Sequence, residues 1–431
     1  MSTAIDQRFP VSRGLSVEQV RTALVAMIFV SSFFVKVEPA PSEVFFLFAL
    51  LFCLHGGLRL SAAIMPLFFL LLLYNLSCLF SYALIPYDRL DAKAFLIGLA
   101  YTTLSGVFFA AYVADDPVKR YHQIIKAYWV GATIGAALGL VSYFKIQPLY
   151  AVFPDFGGRA LGGFKDPNVF STWLVLPMVT MLQAFVLGHL RIRPIPVISF
   201  LMIFAALFLA FSRGAWINAL MASAMTIGFT YMLSPSRNLR GRIAFSAIIG
   251  IVFLAIMLVI LLSIPATREL FLDRFTLVKD YDAGETGRFG NQMNSIPKLM
   301  QLPFGFGPYQ FGEIYGLAPH NTFLNAFASG GWIGGVAFLS FIIANFYVGL
   351  RAVFTRTPFQ PYAIPVFACL FAVTFQGVQI DTEHWRHLYW MTGLTWGFFA
   401  AGLAYQYRPA SLAEIAKGWN LPLPRHARPL Q

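Results

Sequence analysis

Charged residues are scarce in this chain, and acidic ones are the scarcer: 19 Asp and Glu against 31 Lys and Arg in 431 residues. At 12% charged residues, about half the usual share of a soluble domain, the chain cannot coat a water-facing surface of its own size. The basic excess, a net +12, is scattered through short segments between apolar runs. It forms no basic domain of the kind that binds nucleic acid, so nucleic acid is excluded as a partner. Acids are sparse in the outward segments, and no paired-carboxylate glycosidase site is apparent there. Cysteine is nearly absent too. Cys53, Cys78 and Cys369 all fall inside apolar runs, which leaves no disulfide framework and no thiol chemistry. Neither a soluble domain, a low-complexity tract nor an internal repeat is visible.

What is present is hydrocarbon. Hydrophobic residues make up 58% of the chain, 45 of its residues are Phe, and the mean hydropathy is +0.68. They come in runs of roughly 20 residues, about twelve in all, the length that a ~30 Å apolar slab demands of a spanning helix. The runs lie near 22–35, 43–58, 62–85, 93–114, 124–144, 169–189, 195–211, 214–233, 243–264, 321–350, 358–378 and 387–405. The first is short enough for a signal-peptide core. The Val37-Glu38-Pro39-Ala40-Pro41-Ser42 that follows is a poor cleavage site, however, so an uncleaved helix is expected. The fold class is therefore all-α and polytopic: a single integral membrane domain over 1–431.

With the N-terminus inside, most Lys and Arg fall in the inner loops and tails, as the positive-inside rule requires. Both termini are then cytoplasmic, 406–431 is a cytoplasmic tail, and the two long loops, 145–168 and 265–320, face outward. The larger loop opens with a helical stretch, Thr267 to Val278, and turns at Asp282-Ala283-Gly284. A second helix, Arg288 to Met300, leads into the Gly/Pro-rich LPFGFGPYQFGE, which reads as irregular backbone. A small helical cap over the mouth of the bundle is the expectation.

Several outward elements could carry chemistry. Ser212-Arg213-Gly214 puts an Arg at the outer end of a helix pair, and Thr286-Gly287-Arg288 puts another in the long loop. An interfacial snorkelling Arg and a solvated charge are the plainer readings of the two. The planar, permanently charged guanidinium is suited to bidentate capture of a diphosphate. His320 stands at the mouth of an apolar helix that Pro319 and Asn321 begin, with Asn321 as its N-cap. An imidazole can take a proton from a sugar hydroxyl. Lesser candidates for substrate contacts are Asn321, Arg159 and Lys165 in the smaller loop, and Arg386. Asp166 and Asn168 read as caps of the next helix. The run Asp381-Thr382-Glu383-His384-Trp385-Arg386-His387 reads as interfacial anchoring rather than a metal cluster.

The stretch Pro319–Gly335 organises the rest: His320-Asn321, nine residues, then Gly331-Trp332-Ile333-Gly334. Its glycines sit two to three turns into the helix, where a missing side chain lets another helix approach. This pattern resembles the signature of the bacterial O-antigen ligase and polymerase superfamily. Ser212-Arg213-Gly214, Thr286-Gly287-Arg288, and Pro303, Gly305 and Gly307 ahead of His320 look like family elements in family order. The resemblance implies a GT-C-like glycosyltransferase of about twelve transmembrane helices in the bacterial inner membrane, its site facing the periplasm. It implies an undecaprenyl-diphosphate-linked saccharide as donor, held by Arg213 and Arg288. A lipid- or saccharide-linked acceptor would be activated by His320, with inversion at the transferred sugar and with neither metal nor cofactor. Ligase and repeat-unit polymerase share these residues; the motif spacing leans to the ligase. A flippase or other transporter would place charges inside its spans or show paired broken helices, and these spans are nearly free of both acid and base.

Overall fold

The computed structural model describes residues 16–86, 90–275, 284–285 and 287–422, with the backbone alone at 266 and 273–275. Among these residues the regular structure is helical, apart from one isolated antiparallel bridge between Phe156 and Arg159. The elements are α1 (Val17–Val30), α2 (Pro41–His55), α3 (Met65–Ala83), α4 (Leu90–Asp115), α5 (Pro117–Tyr143) and a single turn α6 (Leu149–Val152). Then come α7 (Pro167–Trp173), α8 (Val175–Leu187), α9 (Pro194–Leu209), α10 (Arg213–Leu233) and α11 (Arg237–Leu262). The long loop holds α12 (Pro265–Phe275), α13 (Arg288–Leu299) and α14 (Gln310–Tyr315). The chain ends with α15 (Thr322–Phe354), α16 (Gln360–Gln376), α17 (Arg386–Gly402), α18 (Ala404–Tyr407) and α19 (Leu412–Gly418). Proline opens many of them at the first turn, where its missing N–H costs nothing.

Among the described residues seven helices are long and apolar enough to cross a membrane: Ala62–Ala83, α4, α5, the continuous stretch Pro167–Leu187, α10, α11 and α15. The other five expected runs form α1, α2, α9, α16 and α17, which are 14, 15, 16, 17 and 17 residues long. These fall short of the ~20 residues of an untilted span. The architecture is that of an all-α, multi-pass membrane protein.

Glycine decides how closely the central helices approach. A Cβ at Gly393 of α17 would stand 2.6 Å from Phe109 Cβ of α4, and one at Gly349 of α15 would strike the Phe367 ring of α16 at 2.1 Å. Close backbone approach of this kind is what holds helices together where lipid removes the hydrophobic drive. Almost every residue of α16 and α17 is buried. By contrast, 6% of the apolar window of α11 is covered by protein, so that helix leans outward on the bundle.

The glycines of α15 turn out to do two jobs. Gly330 and Gly334 face α3, against Cys78 and Ser77, as helix packing predicts. Gly331, however, breaks the helix with φ 66° and ψ −162°, a conformation that L side chains rarely adopt. The freed backbone groups are met by the segment 303–307. Trp332 N–H donates to Pro303 O at 2.9 Å, and Phe306 and Gly307 N–H donate to Ala328 O at 2.8 and 3.0 Å. A Cβ on Gly305 would meet Ala328 O and Phe327 O at 2.6 Å. The Gly/Pro run before the motif is thus a plug for a broken helix, which explains its irregular backbone. Only its end departs from that expectation: Gln310, Phe311, Gly312 and Glu313 begin α14. In the long loop, α12 and α13 match the two expected helical pieces; Asp282, Ala283 and residues 276–278 lie outside the described residues.

Candidate functional site

Four segments meet at one end of the bundle. The first is the α9–α10 turn, where Phe211 takes a left-handed φ of 47° and the Ser212 hydroxyl caps α10 by accepting from Ala215 N–H at 3.4 Å. Gly214 lets this turn press against the end of α16, since a Cβ there would lie 3.0 Å from Gln376 Nε2. Arg213 is thereby the first residue of α10, at the mouth of the bundle.

The second is the smaller loop. Ala160 N–H donates to Leu209 O at 2.9 Å, which ties the loop to the end of α9. Beside it Arg159 is buried, with its Nε donating to Ala210 O at 2.7 Å and Nη2 to Asn168 Oδ1 at 2.9 Å. These contacts fix the plane of the guanidinium. Asp166 caps α7 as expected, accepting from Asn168 and Val169 N–H at 2.6 and 3.1 Å. The third segment begins α13. Arg288 lies over the Phe289 ring at 4.7 Å and its Nη1 reaches Gln379 O at 3.5 Å. Thr286, the first residue of the Thr-Gly-Arg element, lies outside the described residues.

The fourth carries His320, whose φ of 46° is again left-handed. Such backbone costs an L residue on the order of 1–3 kcal/mol and persists where surroundings over-determine it. Here they do. The Asp381 carboxylate accepts from the His320 N–H at 3.1 Å and the Asn321 N–H at 2.9 Å. Thr322 N–H donates to Gly377 O at 2.7 Å, and Gln292 Nε2 donates to Pro319 O at 2.7 Å. Asn321 does cap α15, accepting from Leu324 N–H at 3.0 Å. Burial, with the neighbouring Glu383 charge, pushes the Asp381 carboxyl up to about 7. Burial alone would lower His384, but its bond to Glu383 and the two acidic charges leave it raised.

Together these segments enclose a cavity of about 260 Å³ lined by Arg159, Asn168, Phe211, Ser212, Arg213, Gly214, Arg288, His320, Gln376, Gln379 and Ile380. Arg159, Arg213, Arg288 and His320 therefore converge. Three expected residues do not line it. Lys165 is ion-paired with Glu38 on an exposed surface, and Arg386 is ion-paired with Glu43 of α2 and lies 5.9 Å from the Tyr101 ring centre. Asn321 is engaged in its cap. Reasoning from sequence passed over Gln376, Gln379 and the holding role of Asp381. Their partners are 60 or more residues away in the chain, and no local spacing announces them. The run from Asp381 to His387 draws notice in the sequence, but as interfacial anchoring. Among the described residues no group of three or more His, Cys, Asp and Glu is placed to hold a metal ion.

A protein-family model described as O-antigen ligase matches residues 198–339, which include Arg213, Arg288, His320, Gly331 and Gly334. This agrees with the resemblance carried by the His-Asn motif. No curated protein matches the chain.

Proposed function

We propose that this chain, which stands with the O-antigen ligase superfamily by its matched stretch, is a metal-independent inverting glycosyltransferase. It moves a saccharide from a polyprenyl diphosphate, undecaprenyl diphosphate in the bacterial inner membrane, to a hydroxyl acceptor on the periplasmic face. The observation that carries this reading is the convergence of three guanidinium groups and one imidazole on a single cavity. Three guanidinium groups together can neutralise a diphosphate without a divalent ion. The five shorter helices complete about twelve passes where the bilayer thins locally or flanking side chains snorkel.

In the reaction the acceptor oxygen forms a bond to the anomeric carbon while the bond from that carbon to the diphosphate oxygen breaks. The electron pair leaves with the diphosphate, whose growing charge Arg213 and Arg288 stabilise, with Arg159 behind them. His320 takes the hydroxyl proton. Asp381 acts on the backbone of His320 as a positioning residue, holding the strained turn from which the ring projects. The acceptor reading we favour is a lipid-linked core saccharide, as in a ligase; a second lipid-linked repeat would make it a polymerase.

The test is transfer by the purified full chain from a radiolabelled polyprenyl-diphosphate saccharide. Product with the wild type, and none with Arg213→Ala or Arg288→Ala at wild-type yield of folded protein, is the expected result. Undiminished transfer by Arg213→Ala removes that residue from the donor site. Gel analysis of surface glycans in a deletion strain separates the acceptors: unattached full-length polymer on the carrier marks a ligase, single repeats on the acceptor a polymerase.

A further inference from the structure

A second cavity, larger than the arginine-lined one, lies at the other end of the bundle. The chain passes the arginine-lined cavity at His320 and Gln376, and reaches the opposite end at Pro358 and Gln360, where α15 has finished and α16 begins. Along the 17 residues of α16 the two cavities are about 25 Å apart, a membrane's apolar thickness. The second cavity measures about 1150 Å³, at or above the upper end of the ~300–1,000 Å³ range of small-molecule sites. It is bounded by the start of α5, the end of α8, the α15–α16 loop, the end of α17 and the folded-back α19.

Its walls are amphipathic. An aromatic seam runs through it: Tyr121 stacks on Tyr362 at 4.9 Å and 21°, His122 stands edge-on to Tyr362 at 4.8 Å, and His189 lies 5.6 Å from the same ring. Lys126 of α5 and Lys417 of α19 both line it, both exposed and neither paired with an acid among the described residues. The two acids at the rim are engaged in helix caps. Asp116 accepts from Lys119 N–H at 3.2 Å, and Glu414 accepts from Ser411 N–H and Oγ at 2.8 Å each. Burial, then the nearby His122 and Arg242, hold His189 down at about 4, so it faces the cavity as a neutral hydrogen-bonding ring. The far wall is anchored. Asn420 Nδ2 donates to Leu187 O at 3.0 Å, Trp419 is fully buried, and a Cβ on Gly418 would strike Pro358 O at 2.0 Å.

We propose that this cavity binds one anionic phospholipid from the leaflet it faces, with the phosphate between Lys126 and Lys417 and the glycerol and upper acyl carbons along Tyr362 and Ala401. The lipid would tie α19 to the bundle. Phosphate is the shared chemistry of several ligands, but the largely apolar walls and the membrane setting select a lipid source over a soluble one. This inference depends on the membrane architecture and not on the glycosyltransferase reading.

The test is native mass spectrometry of the detergent-purified full chain with phosphatidylglycerol, phosphatidylcholine or inorganic phosphate. One phosphatidylglycerol should be retained at about tenfold or more higher affinity than phosphatidylcholine, and the double variant Lys126→Ala/Lys417→Ala should lose most of that preference, as expected for charge-assisted contacts. Ala401→Trp, which adds bulk to the wall and keeps both lysines, should also displace the lipid; its monodisperse elution controls for folding. Equal retention of both lipids, or unchanged retention in the double variant and Ala401→Trp, overturns the proposal. Inorganic phosphate competing as well as phosphatidylglycerol would make it a soluble-anion site and overturn the lipid assignment.

Discussion

The two ends of the bundle hold cavities built in different ways. The smaller is lined by three arginines and a histidine, and its walls are tied by hydrogen bonds from backbone N–H groups: Ala160 to Leu209 O, Thr322 to Gly377 O, His320 to the Asp381 carboxylate. Two of its residues, Phe211 and His320, keep left-handed backbone. The larger is lined by rings and small aliphatic groups, with Lys126 and Lys417 on flexible stems and the capping acids Asp116 and Glu414 at its rim. Rigid forks aimed at one volume suit a reaction in which charge must be met as it forms. Point charges around a roomy apolar hollow suit a ligand that varies in its tails. Left-handed backbone occurs at both, since Asn420 of the larger cavity has φ 53°, so the contrast lies in the charged groups each cavity presents.

The sharpest way to break the comparison is at His320. His320→Ala should lower kcat by about 10²–10⁴-fold, the usual contribution of a positioned base, while donor binding is kept. His320→Gln should be nearly as poor, and the acidic limb of the pH–rate profile should vanish from what remains. Near-normal turnover with weak donor binding would instead make His320 a positioning residue. Next are the arginines. Arg213→Ala and Arg288→Ala should each cost about 10²–10³-fold in transfer. Lys at either place should rescue poorly, because it offers a point charge for a fork.

Asp381 tests whether the strain matters. Asp381→Asn keeps one acceptor for two N–H donors and should slow transfer about tenfold, the cost of one charge-assisted bond. The same variant should alter stability with pH. The carboxyl of Asp381 is raised from 3.8 to about 7 in the fold. Its stabilising contribution is complete below the ordinary carboxylate range and is lost as pH rises through about 7. Melting temperature measured from pH 4 to 7.5 should therefore fall with pH more steeply in wild type than in Asp381→Asn; parallel curves would contradict this. The smallest effect is expected at Lys165, in an exposed pair with Glu38. Lys165→Ala should leave kcat within about fivefold, as surface ion pairs do. A loss as large as that of Arg213→Ala would extend the cavity to Lys165. EDTA should leave activity unchanged; loss restored by Mg²⁺ or Mn²⁺ would return a metal to the site.

The sequence by itself determined the helical, membrane-crossing class, because runs of apolar residues interrupted by charge permit no other solution to backbone hydrogen bonding in lipid. It also singled out Arg213, Arg288 and His320 through local residue types and spacing, and Asn321 as a cap through a bond that spans three residues. Only the tertiary structure decided that Arg159 joins them and that Lys165, six residues on, does not: which way each side chain leaves its loop depends on contacts with α9 and with Glu38. Only it decided that Asp381 holds His320, or that Gly331 breaks its helix to receive Pro303. Those are pairings between segments tens of residues apart, set by packing rather than by any periodicity a single stretch can carry.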